Sequence, residues 1–285
     1  MGSIKHSRLA GSWYPADRQQ LLQQVDELLH AAENPATASV RGLIVPHAGY
    51  VYSGRAAAAA YRRLNRQACD RVVILAPSHF AGFRGVAVLQ VDAFTTPLGT
   101  VPVERGSLQT LLANPLYRSD AEPFQGEHSL EIQLPFLQRA LPGVPVVPLL
   151  VGELGGDDLI AAARGLQQLN DGRTVFVVSS DFVHYGWRFG YLPFPADGEQ
   201  AVRTGLRTLD MGAITRICAG AAREFQEYIA HTGATICGAL PIAVFLTMHA
   251  GCTRGELIEY YTSLDVTGDF EHCVSYASIA FPHPA

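Results

Sequence analysis

Lysine is almost missing from this sequence: Lys5 is the only one, and every other basic side chain is arginine. A Schiff-base enzyme needs an interior lysine, and so does a phosphate loop of the Walker type. Lys5 sits in a polar N-terminal stretch and suits neither. Cysteine is sparse, too: Cys69, Cys218, Cys237, Cys252 and Cys273 are odd in number and form no CxxC pair. That argues against a disulfide framework or zinc ribbon and for a reduced, cytoplasmic setting. The longest apolar stretch, residues 236–248, is too short to span a bilayer and contains Pro241. No apolar core of a signal peptide is present near the N-terminus, and His6 stands where a myristoylation signal after Gly2 wants Ser or Thr. Like charges form no run, and the formal net charge is -5. Neither nucleic acid nor a membrane is therefore expected as a partner. GxSxG, HExxH and GxGxxG are also absent.

What is present is apolar material in short runs. The chain is 48% hydrophobic and 16% charged, enough to bury a large core. Helical periodicity marks 17–31, with Leu21, Leu22, Val25, Leu28 and Leu29 on one face. It marks 53–64 as well, where Ser53 is placed to cap, and 159–169, 199–206, 222–229 and 239–248. Between these lie apolar runs at 43–45, 72–76, 144–151, 175–178, 257–261 and 274–281. Segments 86–91 and 100–103, with Pro97 and Gly99 between them, read as an inserted hairpin. Short Val- and Ile-rich runs alternating with helices predict an α/β fold with a mostly parallel central sheet flanked by helices. No repeat and no shift in composition divides it, so residues 1–285 read as one domain.

In open α/β sheets, ligands bind beyond the carboxyl ends of the strands. The run 43–45 leads to Pro46-His47-Ala48-Gly49-Tyr50, 73–76 to Pro77-Ser78-His79, and 175–178 to Ser179-Ser180-Asp181-Phe182-Val183-His184. Any one of these histidines reads first as a surface or core residue. Three at one sheet edge point to a site, because imidazole is both metal ligand and general base. Cys237 precedes the helix at 239–248, where a thiol is suited to be nucleophile or ligand; a buried inert thiol is an equal reading there, and the one given to the other four cysteines. Glu127, His128 and Glu131 occupy one short segment, beside a Leu130, Leu134, Leu137, Leu141 stripe. They are candidates to hydrogen-bond metal ligands, against the plainer reading of a solvated helix start. Ser179 or Ser180 with Asp181 and His184 also spells a hydrolase triad, but without a nucleophile elbow.

Taken together and in order, Ala10-Gly11-Ser12-Trp13-Tyr14, Pro46-His47-Ala48-Gly49-Tyr50, Pro77-Ser78-His79, Glu127-His128-Ser129-Leu130-Glu131, Ser179 to His184 and Thr235-Ile236-Cys237-Gly238 resemble the Memo family. Its bacterial and archaeal members occur as the B component of the AmmeMemoRadiSam system, whose other components the resemblance offers as partners. The resemblance implies a fold like the class III extradiol dioxygenases, with a non-haem metal in the pocket. It assigns His47 and His79 as metal ligands and Cys237 as the third. It also makes Asp181 and His184 pocket residues, with His184 as the acid/base. A thiolate where the dioxygenases have a carboxylate is a departure, since a soft ligand shifts preference toward copper(I), zinc or a different iron chemistry. The expected function is a redox enzyme holding Fe(II), with copper or zinc as alternatives. In it His184 moves a proton, Asp181 orients an imidazole or replaces Cys237, and Tyr50 and Tyr52 line the pocket. The alternative is a module that binds a small molecule, peptide or anion in the same pocket without turnover. Action on a macromolecule beside a radical-enzyme component ranks last.

Overall fold

Four aliphatic runs with almost no side chain suited to water pair side by side as the parallel centre of a mixed sheet. The computed structural model describes residues 3–32, 40–195, 197–250 and 254–283; Gly2 and Cys252 lie outside the described residues. In chain order the strands are β1 (Ile4–His6), β2 (Val40–Val45), β3 (Arg71–Pro77), β4 (Val86–Val88), β5 (Ala93–Thr96), β6 (Gly99–Pro102), β7 (Tyr117–Ser119), β8 (Val146–Val151), β9 (Thr174–Ser179), β10 (His184–Tyr185), β11 (Glu256–Thr262) and β12 (Cys273–Pro282). The helices are α1 (Arg18–Ala31), α2 (Tyr50–Tyr61), α3 (Arg105–Leu112), α4 (Leu134–Ala140), α5 (Gly156–Gln167), α6 (Glu199–Cys218), α7 (Ala222–Thr232), α8 (Ala239–Met248) and α9 (Leu264–Thr267).

The nine-stranded sheet runs β10-β12-β2-β9-β3-β8-β4-β7, with β11 also paired to β12. Its centre, β2-β9-β3-β8, is parallel, as expected from the sequence. On either side of it the direction reverses: β12 is antiparallel to β2 and β4 to β8, while the outermost β7 runs parallel to β4. Helices α1, α2 and α4 pack together, with α2 over β2 and β12; α5, α7 and α8 pack together, with α8 over β3 and β9. Helix α8 comes so close to β2 that a Cβ at Gly42 would lie 2.4 Å from the Phe245 ring. Among the described residues no helix is long and apolar enough to cross a membrane.

Three local expectations are corrected. The helix expected at 53–64 starts at Tyr50 with Gly49 as its cap, and the Ser53 hydroxyl donates to the Ala48 carbonyl instead of capping. The helix expected to stop at 206 runs to Cys218, because Asp210, Ala213, Ile214 and Ile217 continue the buried face of Val202 and Leu206. The hairpin is β5–β6, turning at Pro97-Leu98 and forming a separate three-stranded sheet with β1. Residues 86–88 join the main sheet, since Val86 to Val88 are fully apolar and pair with β8. In the leucine-stripe segment, Glu131–Gln133 is a 3-10 turn before α4, and Pro135 sits in the first turn of α4, where it removes no helical hydrogen bond.

Candidate metal centre

The site begins where three adjacent parallel strands stop together. Val45 of β2 is level with Ser179 of β9, and Val178 of β9 with Leu75 of β3. His47 lies two residues past the end of β2, His79 two past β3 and Asp181 two past β9.

His47 is 2% exposed, so every polar atom it carries needs a partner. Its Nδ1 is 2.9 Å from the Ser179 hydroxyl. That hydroxyl has one proton, and it donates it to the Ser129 carbonyl at 2.6 Å while accepting from the Gln133 amide at 2.9 Å. Donor accounting therefore places the proton of His47 on Nδ1 and leaves Nε2 bare. Nε2 points at the Cys237 sulfur, 3.1 Å away.

His79 is fixed by another device with the same result. Glu127, almost wholly buried, accepts from the His79 main-chain N–H at 2.6 Å and faces the ring Nδ1 at 2.9 Å. The main-chain N–H groups of His128 and Ser129 donate to the same carboxylate at 2.9 Å each. Burial pushes the Glu127 carboxyl up, but these donors, the His79 ring foremost, outweigh it and bring it to about 2. The carboxylate is thus ionised and saturated with donors. It holds Nδ1–H of His79 and leaves Nε2 free to ligate.

His128 stacks on His79, with centroids 4.6 Å apart, and meets His47 edge-on at 5.3 Å. Burial first, then the neighbouring His79, lowers it to about 4, so it is a neutral imidazole at pH 7. Trp13 packs against its ring at 4.5 Å.

Cys237 reaches the site because its loop is pressed onto the end of β9. The Gly238 N–H donates to Ser180 Oγ at 3.0 Å, and a Cβ on Gly238 would lie 2.4 Å from the Ser180 Cβ. The Asp181 N–H points at the Cys237 sulfur at 3.2 Å. Burial, reinforced by Asp181, pushes the thiol well above its ordinary range. Such a thiol is protonated near neutral pH, and only a cation at the sulfur would reverse that balance. His47, His79 and Cys237 each offer a ligand atom, and these atoms all lie within 4.8 Å of one another. His79, Glu127 and His128 also cluster within that distance, but the donors on Glu127 already occupy it.

Asp181 is brought to the site without joining the donor set. Its carboxylate accepts the His47 main-chain N–H at 2.8 Å, and burial raises its pKa against the pull of His184. His184 faces the Thr235 carbonyl through Nδ1 at 3.0 Å, and its main chain exchanges hydrogen bonds with the Thr235 hydroxyl. Two expected residues lie elsewhere. Tyr50 turns into the core against Tyr14 and Phe136 and spends its hydroxyl on the Ile132 carbonyl, so it does not line the pocket. Glu131 accepts from the Arg8 and Leu9 main chain and the Tyr14 hydroxyl, and so anchors the N-terminal segment rather than a metal ligand. Tyr52 stands 43% exposed on the first turn of α2. The hydrolase triad fails, because the Ser179 and Ser180 hydroxyls donate to the carbonyls of Ser129 and Asp181. Ser179 and Gln133, which set the His47 tautomer, gave no signal of that role in the sequence.

A family model described as "Memo-like protein" matches residues 5–280. A memo-1 homologue of Caenorhabditis elegans is 33% identical over 99% of this chain and 85% of its own length. A MEMO1 family protein of Thermococcus kodakarensis is 31% identical over 98% of this chain and 99% of its own. Among solved structures, an uncharacterised protein of Escherichia coli K12 shares the fold, with a TM-score of 0.52 at 16% identity, covering 85% of this chain and 99% of that one. With a match along nearly its whole length and relatives above 30% identity from a nematode and an archaeon, the chain belongs to the Memo family.

Proposed function

We propose that the protein is a metal-dependent redox enzyme in which Nε2 of His47, Nε2 of His79 and Sγ of Cys237 hold one transition-metal ion. Iron(II) is the first candidate, with copper as the alternative; zinc would suit the donors but carries no redox chemistry. The observation that carries the reading is the hydrogen bonding behind the rings: both histidines are held at Nδ1, His47 by Ser179 and His79 by Glu127, and Nε2 of His47 points at the Cys237 thiol. Donors about 2.0–2.3 Å from one ion stand roughly 3–4 Å from one another, so the set fits with small side-chain adjustment. When bound, such an ion supplies Lewis-acid or one-electron chemistry at positions beyond its protein ligands.

The protein's own residues do the rest. Ser179 and Glu127 orient the two imidazoles, and Asp181 fixes the His47 turn. His184, gripped by Thr235, offers Nε2 to hold or move a proton. Phe80 beside His79 and Phe189 beside His184 bring aromatic surface to the site. Metal analysis of protein purified without chelator tests the site. His47→Ala and Cys237→Ala are expected to lose most of the metal, and unchanged content in both sinks the proposal. Oxygen uptake by the iron-loaded protein over reductants and catechols tests the chemistry.

A second reading is ligand binding without turnover. It draws support from aromatic surface exposed at the site, Phe80 beside His79 being 68% exposed, which suits a small molecule or peptide. Metal-independent binding with no oxygen uptake would favour it.

A further inference from the structure

Away from the metal donors, a cavity of about 410 Å³ opens between α2, α6 and the end of β11. Arg55, Arg203 and Arg207 all line it, in a chain whose net charge is -5. Arg203 is already matched, paired to Glu199 and to Asp265. Asp265 is itself committed to the Thr262 N–H and hydroxyl. The other two arginines are held differently. The guanidinium of Arg55 lies 4.0 Å from the Tyr261 ring centroid, and that of Arg207 5.7 Å from the Tyr260 ring. Both rings are fixed platforms: Tyr261 donates to the Tyr52 carbonyl at 2.7 Å and Tyr260 to Asp210 at 2.8 Å.

Elsewhere, surface arginines of this chain find close carboxylates, as Arg84 does with Asp158 and Arg139 with Asp26, both at 2.7 Å. Among the described residues Arg55 pairs only with Glu259, at 3.6 Å. Arg207 makes no ion pair among the described residues. A ring orients a guanidinium without neutralising it, so one fork with no carboxylate and one only loosely paired are held at one cavity. Their chemistry matches a dianionic oxyanion bound through paired N–H groups, and the volume suits a small molecule.

We infer that this cavity is a second ligand site, which takes the phosphate group of a small molecule between Arg55 and Arg207. It is independent of the metal reading, because none of its lining residues is a metal donor. Calorimetric titration of the full-length protein with inorganic phosphate and with glycerol 3-phosphate tests it. Saturable binding is expected, weakened about tenfold or more by Arg207→Ala and by Arg55→Ala. Arg207→Lys should fall between, and Arg84→Ala should bind as the parent does. Binding should persist in His47→Ala, which separates this site from the metal centre. Tighter binding of glycerol 3-phosphate assigns an ester, and tighter binding of inorganic phosphate assigns the free ion. The proposal is overturned by absence of saturable binding, by equal loss in Arg84→Ala, by undiminished binding in correctly folded Arg207→Ala, or by tighter binding of malonate than of either phosphate.

Discussion

At the scale of single residues, the site is governed by which atom holds a proton. Glu127 is the clearest case, because one carboxylate fixes both the ring and the main chain of His79. In Glu127→Gln an amide N–H₂ would face N–H donors and the negative charge would be gone. Metal affinity is expected to fall by about 10- to 100-fold, read by competition with a chromogenic chelator, while the fold persists by circular dichroism. An affinity within twofold of the parent would remove Glu127 from this role. The ligand candidates were legible from the sequence because each follows a strand or precedes a helix at a place where topology collects ligands. Ser179 and Gln133 were not legible in their role. A serine at a strand end looks the same whether its proton serves a nucleophile or a carbonyl; only the 2.6 Å contact to Ser129 tells the two apart.

Among elements, α6 is tied to the site side of the sheet by one buried acid. Asp210 accepts the Val183 N–H, next to His184, and the Tyr260 hydroxyl of β11. Burial lifts its carboxyl from 3.8 to about 6, against the pull of those hydrogen bonds. For an acid whose folded pKa is raised, the stabilisation is fully present below the unfolded value and is lost as pH rises through the folded one. The loss falls between about pH 4 and pH 6 and amounts to roughly 3 kcal/mol as an upper figure. Denaturant unfolding of the parent and of Asp210→Asn across pH 4–7 should diverge in that window, with the variant the flatter. Parallel curves would show that Asp210 does not titrate there. Reading α6 as ending at 206 missed this acid, because an aspartate on a buried helix face is unexpected until its partners are seen. The hairpin was misplaced for a related reason: 86–88 is as short and apolar as a hairpin arm, and only its pairing with β8 and β7 places it inside the main sheet.

For the whole molecule, the parallel centre was readable from apolar runs, whereas the reversals on either side of it were not, since a buried strand has the same composition in either direction. The proposed ligands come from positions 47, 79 and 237, so one ion would join segments far apart in sequence. An ion that binds only the folded chain stabilises it by about 2.7 kcal/mol at a hundredfold excess over its dissociation constant. Thermal melts with metal should therefore exceed those with EDTA by several degrees, and the difference should vanish in His47→Ala. Its survival in that variant would place the ion elsewhere. The hydrogen bond from Nδ1 of His47 to Ser179 has a further consequence, for charge balance with the solvent. With Nε2 of His47 already bare, the thiol of Cys237 is the ligand that must give up a proton when a divalent ion enters. In weakly buffered solution near pH 7, loading should acidify the medium by at least about one proton per ion.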